Sequence, residues 1–472
     1  MGKIRSLGKE TLVYGTSTVI ARFLNVALVP FYTYFLATDE YGAVATVFSF
    51  LALFNVIYQY GMDQAFLRFT SEPGQDKKES FSTAFLAVCC TSGVFSIIIY
   101  FTAGLWADFL GIGSKYAYLI QICCIILFLD SLTVIPFAKL RLQHRAWHYV
   151  TVRTISIMVN ALSTVYFLKF TKHGLAGVFH ANTLASAVAL ILLLKVILED
   201  LRPAFSKALF KNMLYFAWPF VPSGLASVFV QVIDKPLLTR LAGLDAVGVY
   251  QANFKVGVFM MLIASMFDAA WRPFFLQHAK EENAKQLFAN VMSYYLAVAL
   301  WVFLGLAFLM PVFIQTKIFG HYFIAPDYWG GLNIIPLVLG GYLFYGMYIN
   351  FMVAPVLTKK TKILMVATII GAVFSVSTNV ILVPRIGIIG AGIAILASYI
   401  SMALTMFIFT LKVYPIPYNY KKIGLLFAAA AVIFALKNYY FGSVPASIIL
   451  LIIYPAAAFA VLRPRRGGIS VE

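Results

Sequence analysis

Apolar stretches of roughly 20 residues, broken by short polar connections, recur from one end of this 472-residue chain to the other. At 1.5 Å of rise per helical residue, each is long enough to cross the hydrocarbon core of a bilayer. Inside that core every backbone N–H and C=O must find its partner within the protein, which leaves only helices and closed barrels. Barrel strands would alternate polar and apolar positions over about 10 residues. Segments such as 296–311 and 363–383 are apolar on every side, so the chain is built from helices.

Composition closes off the soluble alternative. Apolar residues make up 62% of the chain, charged residues 11%, and the mean hydropathy is +0.88. A soluble domain carries about 25% charged residues, and a fold of this length could not hide so much apolar surface in one core. The expected fold is an all-α polytopic membrane protein of about fourteen helices. The predicted spans are roughly 11–36, 41–67, 81–106, 116–138, 148–168, 174–194, 213–233, 246–271, 288–314, 330–354, 363–383, 388–411, 423–436 and 443–462. The first follows a basic N-terminal segment like a signal peptide, but it is too long, contains Arg22 and lacks a small-residue cleavage site. It reads as an uncleaved helix.

A net charge of +18 would suit a nucleic-acid binder, but the basic residues lie in short loops rather than in a soluble domain. With the N-terminus in the cytoplasm, about 25 of the 36 Lys and Arg fall on that side and about 8 outside, as the positive-inside rule requires. Clusters such as Lys139/Arg141/Arg145 and Arg463/Arg465/Arg466 therefore report orientation, with both termini cytoplasmic, and contact with anionic headgroups. Cys89, Cys90, Cys123 and Cys124 sit inside two predicted helices without His or acidic residues at ligand spacing, so no metal or cofactor is expected. No connection exceeds about 20 residues, which is too short for a soluble catalytic domain.

An internal repeat organises the chain. PFYTYFLATDEYGAV from Pro30 aligns at one constant offset with PLLTRLAGLDAVGVY from Pro236, pairing Thr33 with Thr239, Asp39 with Asp245 and Gly42 with Gly248. Helices 2 and 8 then end alike in MDQAFLRF and FDAAWRPF, and GLAGVFHA from Gly174 echoes GIIGAGIA from Gly387. Six helices separate the copies, an even number, so they run parallel, one of the known transporter arrangements. The expected division is an N-terminal lobe over 1–200, a C-terminal lobe over 201–412, and two appended helices with a tail over 413–472.

An ion near the bilayer centre costs about 2.5–3.5 kcal/mol on insertion scales, so it lines a cavity or finds a partner. Arg22 lies midway along helix 1, Lys255 about ten residues into helix 8, and Arg153 in the first turns of helix 5. Together they suggest a cationic cavity for a phosphate or pyrophosphate; pairing of each with an aspartate or a helix carbonyl is the other reading. Asp63, Asp130, Asp234 and Asp268 are placed nearer helix ends. Asp63 and Arg68, with their repeat partners Asp268 and Arg272, serve either lobe geometry or gating. His180 and Asp234 are candidates for ion coupling, although a satisfied interior histidine is the commoner case. Pro219 and Pro222 remove backbone hydrogen bonds from helix 7 and suit a hinge or a fixed kink.

The run Arg22, Pro30, Leu36 and Glu40-Tyr41-Gly42, with Pro219, Pro222, Asp234, Gly248-Val249-Tyr250, Lys255, Trp271 and Pro273, resembles the Wzx-type polysaccharide and O-antigen flippases. These belong to the multidrug/oligosaccharidyl-lipid/polysaccharide exporter superfamily. The resemblance implies two six-helix lobes forming a V around a central cavity. It implies transport of undecaprenyl-pyrophosphate-linked oligosaccharides across the bacterial cytoplasmic (inner) membrane by alternating access, with no enzymatic step. It also implies that lipopolysaccharide glycosyltransferases and a polysaccharide polymerase work beside the chain. Helices 13 and 14 also occur in lipid II flippases of the superfamily. A lipid II-type flippase and a cation-coupled multidrug exporter are the alternatives within it. The exporter would favour deep acidic residues over deep basic ones. A membrane-embedded sugar transferase would need a large outer loop bearing acid or His catalysts.

Overall fold

The computed structural model describes residues 20, 22–171, 173–318, 320–439 and 443–463. By contact the chain forms two compact units: unit 1 is residues 1–252 with 383–388, and unit 2 is residues 253–382 with 389–472. Residues 201–252 therefore group with the first unit.

In unit 1 the helices are α1 Val29–Phe35, α2 Thr38–Gln59, α3 Met62–Thr70, α4 Lys77–Phe101, α5 Ala103–Leu110, α6 Ala117–Leu142, α7 Ala146–Phe170, α8 Gly174–Asp200, α9 Lys207–Ala217, α10 Phe220–Val232 and α11 Asp234–Phe254. Their ends follow local chemistry. The Asp76 carboxylate caps α4 by accepting from the Lys78 amide at 2.8 Å, and Glu40 reaches back to the Ala37 amide at the start of α2. Tyr60 and Gly61 both take positive φ between α2 and α3, and glycine makes that turn cheap. Helices α6, α7 and α8 pack on one another, with α4 and α2 against α6.

Two repeat-related glycines meet inside this unit. A Cβ on Gly42 would overlap the Leu244 carbonyl, and one on Gly248 would overlap the Thr38 carbonyl. The two overlaps are mirror statements of one contact, because Thr38 and Leu244 stand at the same repeat offset as the glycines. Only glycine lets two helix backbones approach so closely. Thr38 donates to Asp245 beside this contact, and the Thr46 and Thr239 hydroxyls meet at 2.7 Å.

Unit 2 continues with α12 Val258–His278, α13 Ala284–Gln315, α14 Ile335–Phe351, α15 Val353–Leu357, α16 Lys362–Ile386, α17 Ile388–Val413, α18 Tyr420–Tyr439 and α19 Val444–Leu462. A two-residue antiparallel ladder, Lys317–Ile318 with His321–Tyr322, folds the connection before α14. The last two helices pack on each other and on α13: Trp301 donates to the Leu451 carbonyl at 2.9 Å, and Phe434 stacks near Phe303 and Phe308.

Twelve described segments are long and apolar enough to cross a membrane. One of them, Phe220–His278, runs for 59 residues and covers two predicted spans, while the predicted first span lies partly outside the described residues. The expectation of about fourteen helices agrees with this. Large apolar side chains such as Ile97, Phe101, Leu162, Val373 and Ile452 point outward. In water such rows would be an aggregation hazard; against lipid they carry no penalty. The chain is a multi-pass membrane protein.

Candidate functional site

The clearest concentration of charge lies within unit 1. A cavity of about 270 Å³ is lined by Asn55 and Gln59 of α2, Asp63 of α3, Asp130, Thr133, Val134, Phe137 and Arg141 of α6, and Tyr149 and Arg153 of α7. The sequence suggests that Asp130 is near a span end; the structure corrects this and sets it midway along the 26-residue α6. Its carboxylate accepts from the Ser186 hydroxyl of α8 at 2.6 Å and is also engaged by Asn55 and the charge of Arg153. The Arg153 guanidinium rests 4.2 Å from the Phe137 ring centre and 5.8 Å from that of Tyr149. Asp63 pairs with Arg141 at 3.1 Å, where the arginine side chain keeps 39% exposure and the cavity meets the surface.

The helices explain this placement. Asn55 and Gln59 are four residues apart on α2, so they share one face, and Gln59 donates to Asn55 at 2.9 Å. Tyr149 and Arg153 repeat the same spacing on α7, and Val134, Phe137 and Arg141 do so at three and four residues on α6. Helical spacing thus brings these positions of three helices to one space.

The other predicted residues are distributed as follows. Arg22 lies in helical residues 22–27 and is half-buried. Lys255, also half-buried, opens the single 3₁₀ turn Lys255–Gly257 that breaks the path from α11 to α12. Arg22 belongs to unit 1 and Lys255 to unit 2. Arg68 is 3.8 Å from Glu72 and 5.0 Å from the Phe216 ring, facing a wide cleft of about 1320 Å³ with Lys211, Tyr215 and Trp218. Asp268 and Arg272 form an ion pair at 2.7 Å one helical turn apart. Asp234 is buried against Lys235 at 3.0 Å and accepts from the Tyr250 hydroxyl at 2.7 Å. His180 lies two turns into α8, its ring 5.6 Å from that of His173. Pro219 sits at the break between α9 and α10 and Pro222 in the first turn of α10, where a missing N–H costs least. Among the described residues, no group of three His, Cys, Asp or Glu is placed to hold a metal ion.

Sequence reasoning gives neither Asp130 nor Lys139 a role in a site. Lys139 is buried, 2.7 Å from Asp200 and 3.4 Å from Glu199, and donates to the Val196 carbonyl. Both are legible as charges within or beside a span; their partners Ser186 and Asp200, 56 and 61 residues away, are not.

Comparison with known proteins adds the family. Residues 7–279 match the model of the family described as polysaccharide biosynthesis protein. The chain belongs to this family. It is 24% identical, over 84% of its own length and 83% of the other's, to an uncharacterized membrane protein of Methanocaldococcus jannaschii. Among solved structures it resembles the lipid II flippase MurJ in an inward closed conformation, with a TM-score of 0.76, 18% identity, and coverage of 96% of this chain and 99% of that one. It also resembles the MATE multidrug transporter DinF-BH, with a TM-score of 0.62, 16% identity, and coverage of 86% and 95%. The fold is therefore that of the multidrug/oligosaccharidyl-lipid/polysaccharide exporter superfamily, and family and fold together support a flippase or transporter role.

Proposed function

We propose that this chain flips isoprenoid-pyrophosphate-linked oligosaccharides across the bacterial cytoplasmic membrane during cell-surface polysaccharide synthesis. The observation that carries this reading is the match to the polysaccharide biosynthesis family over more than half the chain, on a fold shared with a lipid II flippase. Both termini face the cytoplasm, as the distribution of Lys and Arg supports. The lobes of the transport cycle are residues 1–200 and 201–412, followed by the two helices of 413–472. Glycosyltransferases supply the cargo on the inner side, and a polymerase consumes it outside.

Arg22 and Lys255 engage the phosphates, Arg through its planar fork and Lys as a point charge. Arg153 is the third cation and stands beside Asp130. Pro219 and Pro222, at and just after the break between α9 and α10, serve as the hinge, and Asp63, Arg68, Asp268 and Arg272 hold or release helix ends.

A leaflet-specific assay of lipid-linked sugars in cells lacking the protein tests the reading. Full-length carrier-linked units should accumulate on the cytoplasmic side. Normal export with altered dye resistance would favour a multidrug exporter instead. In the same assay Arg22→Ala and Lys255→Ala should abolish export with the protein still inserted, and Arg22→Lys should restore it only in part. Full activity of both alanine variants would remove the two cations from the mechanism.

A further inference from the structure

The cavity of unit 1 is an unusual thing to find among membrane helices. Four ionisable side chains, two amides and a tyrosine surround it, in segments that otherwise present apolar residues to their surroundings. Charged groups at this depth are expensive, and they persist where a pathway or relay uses them. From the geometry we infer that Asp130 is a proton-binding site that couples proton entry to rearrangement of α6, α7 and α8.

Asp130 has the placement such a site requires. It is central in α6, and a hydroxyl, that of Ser186, reaches its carboxylate from a second helix. A hydroxyl can donate to a carboxylate and accept from a carboxylic acid, so that bond survives protonation with its direction reversed. The cation that acts on the carboxylate, Arg153, lies on a third helix and is supported from behind by Phe137 and Tyr149. Binding one proton neutralises Asp130 and removes its charge attraction for Arg153, which leaves the guanidinium on the Phe137 ring as a weaker tie between α7 and α6. The α8 link through Ser186 stays in place. One proton thus changes the balance of forces between three helices without breaking a covalent bond; the proton simply leaves water and later returns to it.

Access is provided at the same cavity. The exposed Arg141 and its partner Asp63 mark the surface end, and Gln59 and Asn55 line the way inward. Among the described residues, the charged and titratable groups sharing the space are Asp63 from α3, Arg141 from α6, and Tyr149 and Arg153 from α7; the packed helices α4 and α5 contribute no lining residue. A sodium ion would need several oxygen ligands, and the neighbouring guanidinium of Arg153 opposes a second positive charge. A proton needs one oxygen.

This inference rests on the transport reading for its biological meaning, but its first test needs no substrate. Infrared difference spectra of the full chain in liposomes, taken between alkaline and acidic buffer, should contain a carboxylic-acid band that Asp130→Asn removes. Ser186→Ala should keep the band and shift its frequency. Persistence of every carboxylic-acid band in Asp130→Asn would overturn the proposal. In cells, Asp130→Asn should lose the dependence of export on the proton gradient while the protein accumulates normally. If the variant fails to accumulate, the band shift in Ser186→Ala decides alone, and an unshifted band there overturns the assignment. Wild-type export that responds to sodium removal and not to a protonophore would also overturn it. Failure of the export assay with the bands behaving as expected would count against the lipid-linked cargo and leave Asp130 in place.

Discussion

Unit 1 keeps Asp63, Asp130, Arg141 and Arg153 around one internal cavity, whereas the helix of unit 2 that stands six spans later carries Tyr342, Tyr345 and Tyr348. There the neighbours are rings: Tyr399 lies 5.7 Å from Tyr342 and 5.2 Å from Tyr345, and Trp271 is surrounded by Phe267, Phe274, Phe275 and Phe288. The ion pairs differ in the same sense. Asp63 reaches Arg141 on another helix, while Asp268 reaches Arg272 on its own. The two units thus join their helices through different interactions. Ion pairs between helices mark the cavity region of the first, and ring packing marks the region around Trp271 and Tyr345 in the second. Long-range charge pairs respond to a proton or an anion; stacked rings do not. The responsive part of the molecule is expected in unit 1.

Substitutions can break or sharpen that contrast, each read by thermal unfolding of the detergent-solubilised full chain. The largest effect is expected for Lys139→Ala. The change leaves Asp200 and Glu199 without their buried cation and should cost about 3 kcal/mol. Ser186→Ala removes a hydrogen bond to a charged group and should cost about 2 kcal/mol, with the chain still folded. In unit 2, Gly346→Ala places a methyl on the Tyr295 ring and hydroxyl and should cost about 1–2 kcal/mol through overpacking. Tyr295→Phe in the same chain should recover part of it, since the overlap with the hydroxyl is the severest. Arg272→Ala breaks a half-exposed pair within one helix and should cost no more than about 0.5 kcal/mol. Tyr295→Phe alone should change stability least, because its buried hydroxyl finds no hydrogen-bond partner among the described residues. A large loss from Tyr295→Phe together with a silent Ser186→Ala would reverse the comparison.

Some of the site is readable from the chain and some is not. Arg153 stands out because a cation in an apolar run is a local anomaly. For Asp130 the sequence offers only its distance from an estimated span boundary, which puts it near a helix end; the structure centres it in α6 and supplies Ser186 from α8. Asp63 and Arg68 stand out in the sequence only as charges near a helix end; the folded chain gives Asp63 Arg141 as its partner, 78 residues on, and sets Arg68 beside Glu72 and the Phe216 ring. The glycines at positions 42 and 248 are visible in the sequence as an echo. That the echo is also a contact, with each glycine lying on the other copy's carbonyl, emerges only from the folded chain.

Membrane insertion, helical class and the approximate number of spans follow from the length of each apolar run, a local quantity that bilayer thickness converts directly into helices. The repeat follows from residue identity at a fixed offset, which needs no coordinates. Which charges meet, and which helix supplies the partner, depends on packing between segments far apart in the chain. Helix rotation of a few tens of degrees moves a side chain from lipid to cavity without altering hydropathy. For that reason the pairing of Asp130 with Ser186 and of Lys139 with Asp200 is settled only when the helices are packed together.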